Sequence, residues 1–225
     1  MKRGAILLMT LFFIMSISIL ILKNLSDTNS YVIEQNSKFS KIQMLYYVNN
    51  VKNEILKAIQ NIENKDQLYQ YLDIDFPIIL KDSKIIIRLS QYDKYNINLL
   101  KKEKEDDYFE FSEYLKSMGI YDIYTLKSIY SDFNNVENNK QLKNIFTRFN
   151  KESYNNDIFK AKDYIGFIDY DKKEFNLSQE EKDIRFYELY VTVEYLEQFI
   201  RAYYILDKSS KEQEQGVKYF EYSFK

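Results

Sequence analysis

From Ala5 to Leu22 the chain reads AILLMTLFFIMSISILIL, eighteen residues without a charge, a glycine or a proline. At 1.5 Å per residue such a helix is roughly 27 Å long, close to the hydrocarbon thickness of a bilayer. Its only polar side chains are Thr10, Ser16 and Ser18, whose hydroxyls can bond back to helix carbonyls. The segment therefore predicts a membrane-spanning helix. Lys2 and Arg3 precede it and Lys23 follows, before the polar stretch holding Asn24, Ser26 and Asp27. Positive charge at the tip favours a cytoplasmic N-terminus, with the rest of the chain outside the inner membrane, in the periplasm. No small-x-small cleavage site follows Leu22, so the plain reading is an uncleaved signal anchor.

No glycine or proline occurs between Ala5 and Pro77. Leu25, Val32, Phe39 and Tyr46 recur every seven residues with Ile42 alongside, and Val48, Val51, Ile55, Ile59 and Ile62 continue the apolar stripe on a shifted face. This spacing predicts one helix from Ala5 to about Ile62, half of it in the membrane and half packed under a globular domain. Two heptads do not define a coiled coil.

Composition narrows the chemistry. The 225 residues include no His, Cys or Trp, which removes disulfides, the commonest transition-metal ligands and the usual Ser-His or Cys-His pairs. The net charge of −2, without a basic run, argues against nucleic acid. Neither a phosphate loop nor a nucleophile elbow is present, so no enzyme and no cofactor is expected. The 22 tyrosines read as ordinary core and half-exposed packing before they read as a binding groove.

Further along, Pro77–Leu80 and Lys84–Leu89 predict a hairpin turning at Lys81–Ser83. In Asp93–Leu100 the pair Asn96 and Asn98 suits a chain leaving a strand, because Asn side chains cap backbone groups in turns. Apolar spacing predicts helices over Tyr108–Met118, capped by Gly119, over Tyr121–Phe133 and over Gln141–Phe149. Ser178-Gln179-Glu180-Glu181 matches a capping box, and Ile184, Tyr187, Val191, Tyr195, Phe199 and Ala202 extend the helix it opens to about Leu206. Val217–Phe224 reads as a last strand beside the hairpin. Asp169, Asp171 and Glu180 imitate a calcium loop, but Lys173 and Glu174 stand where a ligand and a glycine belong. Glu103, Glu105, Asp106 and Asp107 read as a solvated acidic cluster, so no metal site is assigned.

The start Met1-Lys2-Arg3-Gly4, followed by Ala5-Ile6-Leu7-Leu8, resembles the prepilin signal, which is cut after the glycine by a membrane peptidase that also methylates the new N-terminus. The cut would fall between Gly4 and Ala5. Pilins carry Glu at the fifth residue after it, and here Met9 stands in that place. The subunits that lack this Glu are the K-type minor pseudopilins of type II secretion systems. The stretch Tyr95-Asn96-Ile97-Asn98, the helix–Met118-Gly119-Ile120–helix pattern and Phe167-Ile168-Asp169-Tyr170-Asp171 are similar to stretches of that family, although Asp93 replaces its usual glycine. The resemblance implies a mostly helical α+β fold: a leader over 1–4, a pilin-type helix with a transmembrane half over 5–22 and a periplasmic half over 23–62, and an α+β domain over 63–225. That domain would hold a small antiparallel sheet with a helical insertion at about 101–206. The implied role is assembly at the tip of a secretion filament, with other minor pseudopilins, inner-membrane assembly components, the prepilin peptidase and membrane lipid as partners. The alternative is a signal-anchored periplasmic adaptor or chaperone-like protein.

Overall fold

The computed structural model describes residues 2–62, 68–102, 106–168, 185–210 and 216–225, with side chains from Met15 onward except Ser16 and Asp107. Its first element, α1 (Lys2–Asn61), is one helix of 60 residues, as the absence of breakers predicts. A sheet follows, of β1 (Asp75–Ile79), β2 (Ser83–Gln91), β5 (Phe186–Tyr195), β6 (Gln198–Asp207) and β7 (Val217–Phe224), in the spatial order β1-β2-β5-β6-β7 and antiparallel throughout. Between β2 and β5 lie a two-residue strand β3 (Tyr95–Asn96), paired in parallel with β4 (Ile165–Gly166), and the helices α2 (Asp106–Ser117), α3 (Ile123–Ser131) and α4 (Asn139–Ser153). The molecule is a mostly helical α+β fold with a long N-terminal helix and a small sheet.

The sheet has an apolar stripe on each face, and the two stripes make two cores. On one face Ile85, Ile87, Leu89, Leu189, Val191, Val193, Ile200, Ala202 and Tyr204 pack under Met44, Val48, Leu56 and Ile59 of α1. Ser40 shares this buried face and returns its hydroxyl to Asn36 O at 2.9 Å, so it enters the interface without an unpaired donor. On the other face Tyr203 and Ile205 meet Phe111, Leu115, Leu126, Ile129, Ile145 and Phe149 of the helical lobe. The lobe covers only one end of this second face.

The C-terminal hairpin corrects the helix expected over 178–206. The capping box and the calcium-like residues Asp169, Asp171, Lys173, Glu174 and Glu180 lie outside the described residues, but from Phe186 the chain is strand. Its apolar positions satisfy a 3.6-residue period and a two-residue period equally. Val191, Thr192 and Val193 favour the pleat, and Leu196 and Glu197, both with positive φ (47° and 65°), supply the left-handed pair a two-residue hairpin turn needs. The last strand forms as expected over Val217–Phe224, but it pairs with β6 at the edge farthest from the first hairpin, which itself forms with Ile79 opposite Lys84.

The largest correction concerns α1. Among the described residues no helix is long and apolar enough to cross a membrane. Polar residues such as Asn24, Ser26, Asp27, Asn29 and Ser30 continue the same helix. The bilayer-spanning reading of 5–22 is thereby corrected. With it go the inner-membrane and periplasmic placement and both functions built on an anchor: the secretion-filament tip subunit and the anchored envelope adaptor.

Candidate functional site

The first surface of interest lies on α1 itself. From Ile17 to Asn36 every described side chain is exposed, a free rod of about 30 Å. Leu25 (64% exposed) and Val32 (47%) on this rod, and Phe39 (52%) and Tyr46 (61%) beyond it, form the seven-residue stripe read from the sequence. Its outer members Leu25 and Val32 stand clear of the sheet, while Phe39 meets Tyr195 of β5 with ring centroids 6.5 Å apart. At 100° per residue its mean direction lies about 130° around the helix from the buried Met44 and about 170° from Val48. Ile21 and Ile42 widen the same outward face, and both are exposed. Flanking charges nearly cancel, with Lys23, Lys38 and Lys41 against Asp27 and Glu34. Glu34 pairs with Lys38 at 2.7 Å on the surface; the lysine's hydrogen bond and charge hold its carboxyl below the ordinary value.

The second is a groove of about 870 Å³ where α4 steps down onto the open half of the second sheet face. Its floor is built on alternate residues of β5 and β6. Glu188 is buried, and its Oε1 accepts from Lys94 Nζ at 2.6 Å, Tyr203 Oη at 2.5 Å and Tyr190 Oη at 3.3 Å. Register places Tyr190 opposite Tyr203, with ring centroids 4.9 Å apart. Burial, reinforced by the Glu188 charge, pushes both phenols far above their ordinary value, so they remain neutral donors. A carboxylate with three donors on one oxygen, fixed by two neutral phenols and an ammonium, is a rigid polar floor. Lys143, Lys162 and Arg201 line the walls. Sequence reasoning missed this constellation. Its one legible sign was Glu188 inside an otherwise apolar and aromatic run, which marks a buried carboxylate in need of a cation.

A third feature is a smaller cleft of about 630 Å³ lined by Asn98, Lys101, Arg185 and Lys218. Buried Asp207 gathers Arg185 and Lys218 at 3.2 Å each, along with the Ser209 backbone N–H and hydroxyl. Burial works to raise the carboxyl's pKa, but these hydrogen bonds outweigh it and hold the group below its ordinary value.

The sequence-predicted processing residues Gly4 and Ala5, and Met9 at the filament-core position, fall within α1, and their side chains lie outside the described set. Glu103 and Glu105 also lie outside it, and Asp106 opens α2 exposed to solvent. Among the described residues no group of three carboxylates is arranged to hold a metal ion. No family model, curated protein or solved structure matches the chain.

Proposed function

We propose that this chain is a non-enzymatic assembly protein whose free α1 rod packs in parallel against α1 of a second copy. The observation that carries the reading is the outward stripe Leu25, Val32, Phe39 and Tyr46. A helix whose apolar residues all served its own core would present them on one face. This helix presents two, and its own sheet covers only one. A seven-residue apolar repeat drifts slowly around a straight helix, and winding about a second helix keeps it in contact. The near-balance of charge along the rod leaves little repulsion between identical copies. Gln35 and Thr28, which accompany the stripe on the seam, favour a soft and adjustable contact over a fully apolar zipper.

The groove supports a binding role for the domain over a chemical one, since its buried carboxylate is committed to structure. Light scattering on the full chain tests the reading. Leu25→Asp with Val32→Asp places carboxylates on the seam and spares every residue that touches the sheet. The account predicts a fall in solution mass with unchanged circular dichroism. An unchanged mass contradicts it.

A further inference from the structure

The groove on the second sheet face is lined by donors that the described chain leaves unused. Register sets Arg201 of β6 between Thr192 of β5 and Ser223 of β7. All three line the groove, together with Lys143 of α4 and Lys162 in the turn Ala161–Asp163. Among the described residues, none of these five side chains makes an ion pair or a hydrogen bond. The contrast is sharpest for arginine. Arg88 holds Asp75 at 2.8 Å, Arg148 holds Asp132 at 2.7 Å and Arg185 holds Asp207 at 3.2 Å, while Arg201, exposed on the open sheet, holds no carboxylate among the described residues. The acids of the groove do not supply the missing acceptors. Glu221 accepts from Asn139 Nδ2 at 3.0 Å and from Tyr219 Oη at 2.8 Å. Asp163 is felt at the Tyr190 phenol, one register row away from Arg201. A concave surface that gathers like charge focuses its field on whatever enters.

We infer that the groove binds a small organic phosphate, a phosphomonoester whose dianion sits over Arg201 and whose ring lies against Tyr190. Five donors without acceptors call for a ligand rich in acceptor oxygens. A guanidinium between two hydroxyls suits a tetrahedral phosphate, whose oxygens accept from the guanidinium fork and from each hydroxyl at once. Lys143 and Lys162 add the charge a dianion requires. The size of the groove, about 870 Å³, is that of a site for a ring-bearing molecule and exceeds what the inorganic ion alone would fill. Tyr190, 41% exposed, and Phe159, 39% exposed, offer the ring apolar surface. Glu188 does not repel the phosphate as a free carboxylate would, because Lys94 at 2.6 Å neutralises it within the floor. Asp163, at the ring end, turns the anion toward Arg201. The site lies on the sheet face opposite α1, so it stands whether or not two copies associate.

Titration calorimetry on the full chain, with phenyl phosphate as the probe, tests the assignment. Phenyl phosphate should bind saturably and at least about tenfold more tightly than phenol, inorganic phosphate or benzoate, which lack in turn the dianion, the ring and the tetrahedral group. Arg201→Gln should weaken it roughly tenfold, the loss of one charge-assisted contact. Lys143→Gln, on the exposed face of α4, should weaken it by a smaller factor, and keeps the test open if Arg201→Gln fails to fold. Lys23→Gln, on the α1 rod, should leave the affinity unchanged. Absence of saturable binding overturns the assignment. So does an affinity that both groove variants preserve, or one that inorganic phosphate or benzoate matches. Solution mass plays no part in these readouts, so failure of the groove assignment and failure of the α1 contact are told apart.

Discussion

Asn98 joins three segments through one side chain. Its Nδ2 donates to Val136 O at 3.0 Å and to Phe167 O at 3.3 Å, while its Oδ1 accepts from Val136 N at 2.8 Å and Tyr130 Oη at 3.0 Å. Asn96 caps the adjoining turn by accepting from Asn98 N at 3.0 Å. The sequence reading of this pair as backbone-capping residues is what the structure displays, and the reach of Asn98 to residues 38 and 69 positions away is what no local pattern carries. Asn98→Ala strands these groups and should cost about 2–3 kcal/mol in urea unfolding. At Asp207 the sign of a pH effect follows from its lowered pKa. Its contribution is complete above the ordinary carboxylate pKa near 4 and is lost as pH falls through the lower, folded value. Acid unfolding of Asp207→Asn should lack that loss, while its stability at pH 7 should fall below that of the parent chain. Equal acid profiles for the two proteins would remove Asp207 from the account.

Among the elements, period and punctuation decided what was legible. Gly119, with φ +84°, ends α2 where the sequence placed a cap, and the three lobe helices match their apolar spacing. The β5–β6 hairpin was misread because its apolar residues satisfy both periods and its turn, Leu196-Glu197, contains neither Gly nor Asn. Tertiary packing, with α1 on one face and the lobe on part of the other, settles the choice that local pattern left open. Edge chemistry was likewise invisible until register was known. Pro77 marked only a strand start in the sequence, and register shows it facing outward at a free edge. Restoring the donor with Pro77→Val should promote edge-to-edge association. Turbidity at raised concentration is expected to climb in that variant, and a curve superposing on the parent's would show that the edge is guarded by something else.

Across the whole molecule, α1 is a single rod with two employments. From Phe39 onward it closes the sheet's apolar face, and the described side chains from Ile17 to Asn36 are all exposed. The stripe at 25, 32, 39 and 46 was visible as a period, but which side of the helix it occupied was not, because the sheet-facing residues Ser40, Met44 and Val48 follow a second stripe that a serine and a methionine disguise. The candidate groove was illegible for a different reason: Glu188, Lys94 and Tyr203 meet only through strand register and a crossover of some ninety residues. The claim on which the account turns is that the stripe contacts its own counterpart, and the absence of cysteine makes it directly measurable. Single Val32→Cys and Glu34→Cys variants of the full chain, oxidised mildly and resolved on a non-reducing gel, report which face of the rod meets a second copy. The account predicts a disulfide-linked dimer for Val32→Cys and monomer for Glu34→Cys; monomer for both, or equal crosslinking of the two, contradicts it.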